Sequence, residues 1–113
     1  MSRNNPADQL SGYGSLLRQM SLDPRLNITH ISLTNGLFVL WQRNGFKAPF
    51  PVTRRTLMVF SKIASIATYH KCLRELNDYG YLIYQPSYHP KNGSSVEWSA
   101  VTVDLATRNK LSI

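Results

Sequence analysis

The chain has 113 residues, which suits one domain and is short for two. Its 42% hydrophobic and 17% charged content is that of an ordinary globular protein and excludes an intrinsically disordered one. Thirteen Lys and Arg stand against six Asp and Glu, a net charge of +7, which points toward a polyanionic partner. No stretch approaches the roughly 18 apolar residues of a membrane span. The opening MSRNNPADQL has no apolar signal core, and the single Cys72 can form no internal disulfide, so a reducing cytoplasm is expected.

Residues 1–6 read as a loose tail. The apolar spacing of Leu10, Leu16, Leu17 and Met20 predicts a first helix from about Ala7 to Leu22, weakened by Gly12 and Gly14. The Ser-Gly-Tyr-Gly-Ser stretch lacks the lysine of a phosphate loop, so no nucleotide cofactor is expected. Asp23-Pro24 breaks the pattern.

A second helix is expected after a Thr29 cap. Its broad apolar face holds Ile31, Leu37, Phe38, Leu40 and Trp41, and Asn44-Gly45 ends it. Phe46 to Pro51 reads as an extended connector, with Val52 in a short strand contact. Thr53 caps a third helix, with Leu57, Met58 and Phe60 inward and an end near Ile63.

Ser65 then caps a fourth helix running to about Tyr79. Tyr69, Cys72, Leu73 and Leu76 fall at i, i+3, i+4 and i+7 and form one buried stripe, and Gly80 occupies the left-handed position after the helix. Two strands are predicted to follow. Tyr81–Ser87 is rich in aromatic and β-branched residues, with Pro86 at its edge. Asn92-Gly93 marks a turn, and Val96, Trp98 and Ala100 alternate onto one face before the pattern slips at Val101.

Only Ala64-Ser65 would separate the third and fourth helices, so the two must cross steeply, as in a helix-turn-helix. The segment FSKIASIATYHKCLRELNDYGYL (60–82) resembles the second half of a winged helix-turn-helix DNA-binding domain. In that resemblance Ser65, Thr68, Tyr69, Leu73, Leu76 and Gly80 take the family's cap, core and turn roles. The segments THISLTNGLFVLW, SKIASIATYHKCLREL and GYLIYQPSYHPKNGS resemble small winged-helix proteins of bacterial mobile elements, over about residues 23–96.

The fold so implied is α+β, mainly helical: a winged helix-turn-helix with a three-helix core, a β-hairpin wing and an N-terminal helical extension. Residues 1–22 form the tail and first helix, 23–103 the winged helix domain and 104–113 a C-terminal tail. The resemblance implies double-stranded DNA binding in transcription regulation, or in replication or transfer of a mobile element.

The residues themselves carry candidates for that contact. No carboxylate lies between Asp23 and Glu75, whereas Arg25, Arg43, Lys47, Arg54, Arg55, Lys62, Lys71 and Arg74 do. A merely soluble surface intersperses both signs. With the apolar stripe inward, the fourth helix turns Ile66, Ala67, His70, Lys71 and Arg74 outward, and small residues at its start suit approach to a major groove. The alternative is a solvated helix face.

Arg54 and Arg55 sit in a first helical turn, where the macrodipole favours anions. A docked phosphate explains them, and so does simple screening by salt. His89, Lys91, Asn92, Ser94 and Ser95 at the wing tip fit either the DNA flank or any tight turn. The expected DNA contact set is Arg54, Arg55, Lys62, Ser65, Ile66, Ala67, Thr68, His70, Lys71 and Arg74, with His89, Lys91, Asn92 and Ser94 of the wing.

Tyr81, Tyr84, Tyr88 and Trp98 at strand spacing read as packing residues, with base stacking the lesser alternative. His30, His70 and His89 lie in no metal motif. His70 and Cys72 point to different helix faces, and no two carboxylates share a cleft, so no enzyme activity, metal or small-molecule cofactor is expected. The competing functional reading is a protein-interaction module that docks an acidic partner protein. A homodimer through the first helix, Phe38 and Trp41 would read a two-fold DNA site.

Overall fold

The computed structural model describes residues 6–87 and 93–99. It is an α+β fold, mainly helical. In chain order the elements are α1 (Pro6–Ser21), α2 (Ile28–Arg43), β1 (Phe50–Val52), α3 (Arg54–Ser61), α4 (Ile66–Asp78), β2 (Leu82–Gln85) and β3 (Ser94–Trp98). None of the described helices is long and apolar enough to cross a membrane.

α2 is the centre of the helical layer and packs against α1, α3, α4 and β1. It starts earlier than a Thr29 cap would place it. Asn27, in extended backbone, accepts the amide of Thr29 at 2.9 Å and that of His30 at 3.4 Å, and His30 Nδ1 accepts the Asn27 amide at 3.0 Å. Asn is among the strongest cap residues, and the reciprocal bond from the fourth residue of the box adds to it. Histidine here takes the place usually held by Glu or Gln.

Leu33, Leu37 and Leu40 of α2 are buried, and so is Gly36. A Cβ at Gly36 would meet Leu57 Cδ1 at 3.0 Å and Ser61 Cβ and N at 3.1 Å, so the missing side chain is what lets α3 lie directly on α2. α1 joins the same core: Leu16 and Met20 are buried, and Tyr13 stacks on Phe38 with centroids 3.9 Å apart.

The Phe46–Pro51 connector was expected to be extended, but it begins with a turn. Gly45 (φ 70°) and Phe46 (φ 60°) are both left-handed, and the Phe46 amide donates to Trp41 O at 3.0 Å. A non-glycine residue pays a steric cost there. Phe46 offsets it by packing edge-on against Trp41, with centroids 5.0 Å apart.

β3 is the middle strand of a three-stranded antiparallel sheet ordered β1-β3-β2. Its Val96 lies opposite Phe50 on one side and Tyr84 on the other. Phe50, Val52, Leu82 and Val96 turn inward and are buried, whereas Pro51 faces out on an edge strand, where its lack of an amide donor is tolerated. Pro86 lies beyond the end of β2. The expected positions of Tyr88, Ala100 and Val101 lie outside the described residues.

Thr53 caps α3 by accepting the Thr56 amide at 3.2 Å. The helix ends at Ser61 rather than near Ile63, so four residues, 62–65, separate α3 from α4 and not Ala64-Ser65 alone. The reason is Lys62, which is left-handed (φ 61°). Its amide donates to Val59 O at 3.3 Å, and the Ile63 amide donates to Met58 O at 3.1 Å. That pair of bonds is a Schellman ending. α4 ends in the same way: Gly80 (φ 87°) donates to Asn77 O at 3.2 Å, and Tyr81 to Leu76 O at 3.0 Å.

Ser65 caps α4 through the Thr68 amide at 3.2 Å, and Tyr69, Cys72, Leu73 and Leu76 are buried as one stripe. Complete burial of an aliphatic or aromatic side chain of this size stabilises by roughly 1.5–3 kcal/mol, so the stripe sets which face of α4 is left outward. Asn77 Oδ1 then accepts the Tyr84 amide at 2.9 Å and ties β2 to the end of α4.

Candidate nucleic-acid interface

The residues left outward on α4 are Ile66, Ala67, His70, Lys71, Arg74 and Asp78, all exposed. Lys71 and Arg74 are three apart and share one side of the helix, and Ala67 and His70 precede them on the same side. Arg54 and Arg55 are exposed in the first turn of α3, and Lys62 is exposed just after its last turn. Arg54 lies close enough to α4 for its charge to act on the Tyr69 phenol. Burial pushes that phenol up to about 12, Tyr84 adds to the rise and Arg54 works against it.

Ser65 is exposed with its hydroxyl engaged as the α4 cap, and Thr68 is half-buried. Both border an open cleft of about 320 Å³ between the starts of α2 and α4, which Ile28, Thr29 and Lys62 also line. Of the wing-tip set, Ser94 is half-buried, and its Oγ accepts from Tyr84 OH at 3.1 Å and from the Ser87 amide at 3.4 Å. His89, Lys91 and Asn92 lie outside the described residues.

The two carboxylates that bound the acid-free stretch both bond within the protein. Asp23 receives Arg25 Nε at 3.0 Å, Arg25 Nη2 at 2.8 Å and Tyr81 OH at 2.6 Å. The Arg25 side chain holds the Asp23 carboxyl well below the usual carboxylate range, with help from Tyr81. The Arg25 guanidinium also lies over the Tyr79 ring, 4.4 Å from its centroid, so this cation does not belong to the outward basic set.

Glu75 Oε1 bonds His30 Nε2 at 3.0 Å, and Glu75 Oε2 accepts from Tyr79 OH at 3.3 Å. Among the described residues, Arg25–Asp23 is an ion pair, and the other contact between a carboxylate and a basic side chain is the His30–Glu75 hydrogen bond. Arg54, Arg55, Lys62, Lys71 and Arg74 are therefore unpaired with any described carboxylate.

His30, Cys72 and Glu75 bring one ligand atom each to within 4.8 Å of one another, a cluster that sequence reasoning missed. Cys72 and Glu75 are three apart on one helix, a spacing with many uses, and His30 comes from another helix, so no local signal joins them. The hydrogen bonds decide what the cluster does. His30 Nδ1 accepts the Asn27 amide and so carries no proton. The neutral ring must then carry its proton on Nε2 and donate it to Glu75. Burial, then the Glu75 charge, raises the Cys72 thiol, with Lys71 opposing. The cluster acts as a polar tie between the start of α2 and the middle of α4.

Phe38 and Trp41, expected at a dimer contact, are engaged within the chain. Phe38 stacks on Tyr13, and Trp41 packs edge-on against Phe46 and, at 5.7 Å, against Trp98. Tyr81 is buried, and Tyr84 and Trp98 pack on the core as the packing reading of these aromatics expects.

No family model, no curated protein and no solved structure matches this chain.

Proposed function

We propose that the chain is a winged helix domain that binds double-stranded DNA, with α4 in the major groove and Arg54, Arg55 and Lys62 on the flanking phosphates. The single observation that carries this reading is the outward basic set. Five exposed cations on α3, the turn and α4 have no described carboxylate partner, while Asp23 and Glu75, the two acids that bound the acid-free stretch, are bonded elsewhere in the fold and only Asp78 shares the outward face of α4. A row of unpaired like charges is electrostatically costly by itself and becomes favourable against a polyanion.

The element order supports the same reading. α2, α3 and α4 form a helical trio, and β2 and β3 follow α4 directly, with β1 completing the sheet. Winged helices with this order present the last helix of the trio to DNA and the hairpin beside it. On this reading the chain acts in transcription regulation, or in replication or transfer of a mobile element. The mobile-element association rests on the sequence resemblance.

The test is a fluorescence anisotropy titration against duplexes at several salt concentrations. With Lys71 and Arg74 at the groove rims also contacting phosphates, five contacts give a slope of log affinity on log salt near −4.5, that is about −0.9 per phosphate. A slope near zero rejects the mechanism. Salt-insensitive capture of a protein in the absence of DNA would favour the competing reading as a docking module.

A further inference from the structure

We propose that the first turn of α4 reads thymine methyl groups through Ile66 and Ala67. The inference rests on the DNA-binding reading and names what the site recognises.

Ile66 is the first residue of α4 and is 49% exposed, and Ala67 beside it is exposed as well. Neither serves the core, because the buried stripe of this helix begins at Tyr69. The two form an apolar spot at the leading end of the helix. Lys62 lies on the turn before it, Lys71 and Arg74 lie further along the same helix, and Arg54 and Arg55 stand on α3.

An occupant that complements this pattern has apolar groups recessed between lines of negative charge. The major groove at A·T pairs has that form: the thymine 5-methyl groups stand on its floor and the phosphates run along both rims. The methyl side chain of Ala67 lets the helix backbone come near the base edges, and the branched Ile66 supplies the larger contact surface. A G·C pair offers no methyl group, so the site selects thymine at the positions under this turn.

The experiment starts from duplexes enriched by selection from random sequence. Each thymine of the enriched site is replaced in turn by deoxyuridine, which removes the 5-methyl group and leaves base pairing intact. The proposal expects about fourfold weaker binding at each contacted position, the value of burying one methyl-sized group. Ile66→Ala is expected to bind the thymine and uracil duplexes with affinities closer than the wild-type ratio, with thermal unfolding unchanged because the side chain is half-exposed.

Equal affinity of the wild-type protein for every uracil-substituted site overturns the proposal and leaves DNA binding standing. An enriched site without thymine, or an Ile66→Ala protein that keeps the full wild-type ratio, overturns it as well. Failure to enrich any duplex overturns the DNA-binding reading and this inference with it.

Discussion

Tyr81 donates its phenolic hydrogen to Asp23 Oδ2 at 2.6 Å, a bond that spans 58 residues and joins the α1–α2 loop to the start of the sheet. Arg25 closes the group by bonding Asp23 and covering Tyr79. The acid thereby locks the loop before α2 to the end of α4.

The Asp23 carboxyl is held below its ordinary range in the folded protein. A depressed folded value means that the stabilisation is present above about pH 4, the unfolded aspartate range, and is lost as pH falls toward the folded value. Thermal unfolding of the wild type is therefore expected to weaken progressively below pH 4. Asp23→Asn should be less stable at neutral pH and show a shallower acid limb. Parallel acid limbs in the two proteins would contradict this role.

Alkaline conditions test the phenols. Burial, then the Asp23 bond, pushes Tyr81 up to about 12, and Tyr69 is pushed up to about 12 chiefly by burial. A raised folded value places the stabilisation below pH 10 and removes it as pH rises through 10 to 12. Tyrosinate absorbance should show these phenols ionising above the exposed tyrosine range, together with loss of fold. Titration of every tyrosine near pH 10 in a still-folded protein would contradict it.

Gly36→Ala sets helix propensity against packing. Alanine is favoured over glycine in a helix by about 1 kcal/mol. The added methyl meets the buried Leu57 side chain and the Ser61 backbone at 3.0–3.1 Å, and the backbone atom cannot yield unless α3 moves. Overpacking of this kind costs about 1–3 kcal/mol, so a net loss of stability is expected in urea unfolding. Stabilisation would show that α3 slides freely on α2.

Lys62→Gly is expected to separate stability from DNA affinity. The left-handed backbone at Lys62 is costly for a residue with a Cβ and free for glycine, so the variant should gain about 0.5–1 kcal/mol in stability. It also removes one proposed phosphate contact, so the salt slope should fall by about 0.9. A more stable protein with an unchanged slope would remove Lys62 from the contact set.

His30→Gln and His30→Ala dissect the tie between α2 and α4. His30 is 2% exposed and holds both the Asn27 amide and Glu75. Alanine forfeits both bonds and should cost about 2–3 kcal/mol in chemical unfolding. Glutamine can restore the capping box and should recover part of that loss. Equal losses from the two substitutions would mean that the cap bond contributes nothing.

Much of the fold was legible in the residues. The stripe Tyr69, Cys72, Leu73 and Leu76, the caps Thr53 and Ser65 and the turn glycine Gly80 all stand where their local pattern placed them. The start of α2 was misplaced because both Asn27 and Thr29 can cap, and only the His30 ring bonding back to Asn27 selects the first. The end of α3 was misplaced because a lysine in the left-handed region has no sequence signature.

The sequence by itself determined which faces of the helices are apolar, where most helices begin and the excess of positive charge through the middle of the chain. These depend on spacing and on chemistry within a few residues. Tertiary structure alone decided that β1 pairs with β3, that α3 rests on Gly36, and that Asp23 and Glu75 bond to Tyr81 and His30. Those contacts join residues tens of positions apart, and their energies depend on distances of a few ångströms that no local pattern specifies. They also decide which charges of this protein are left facing outward.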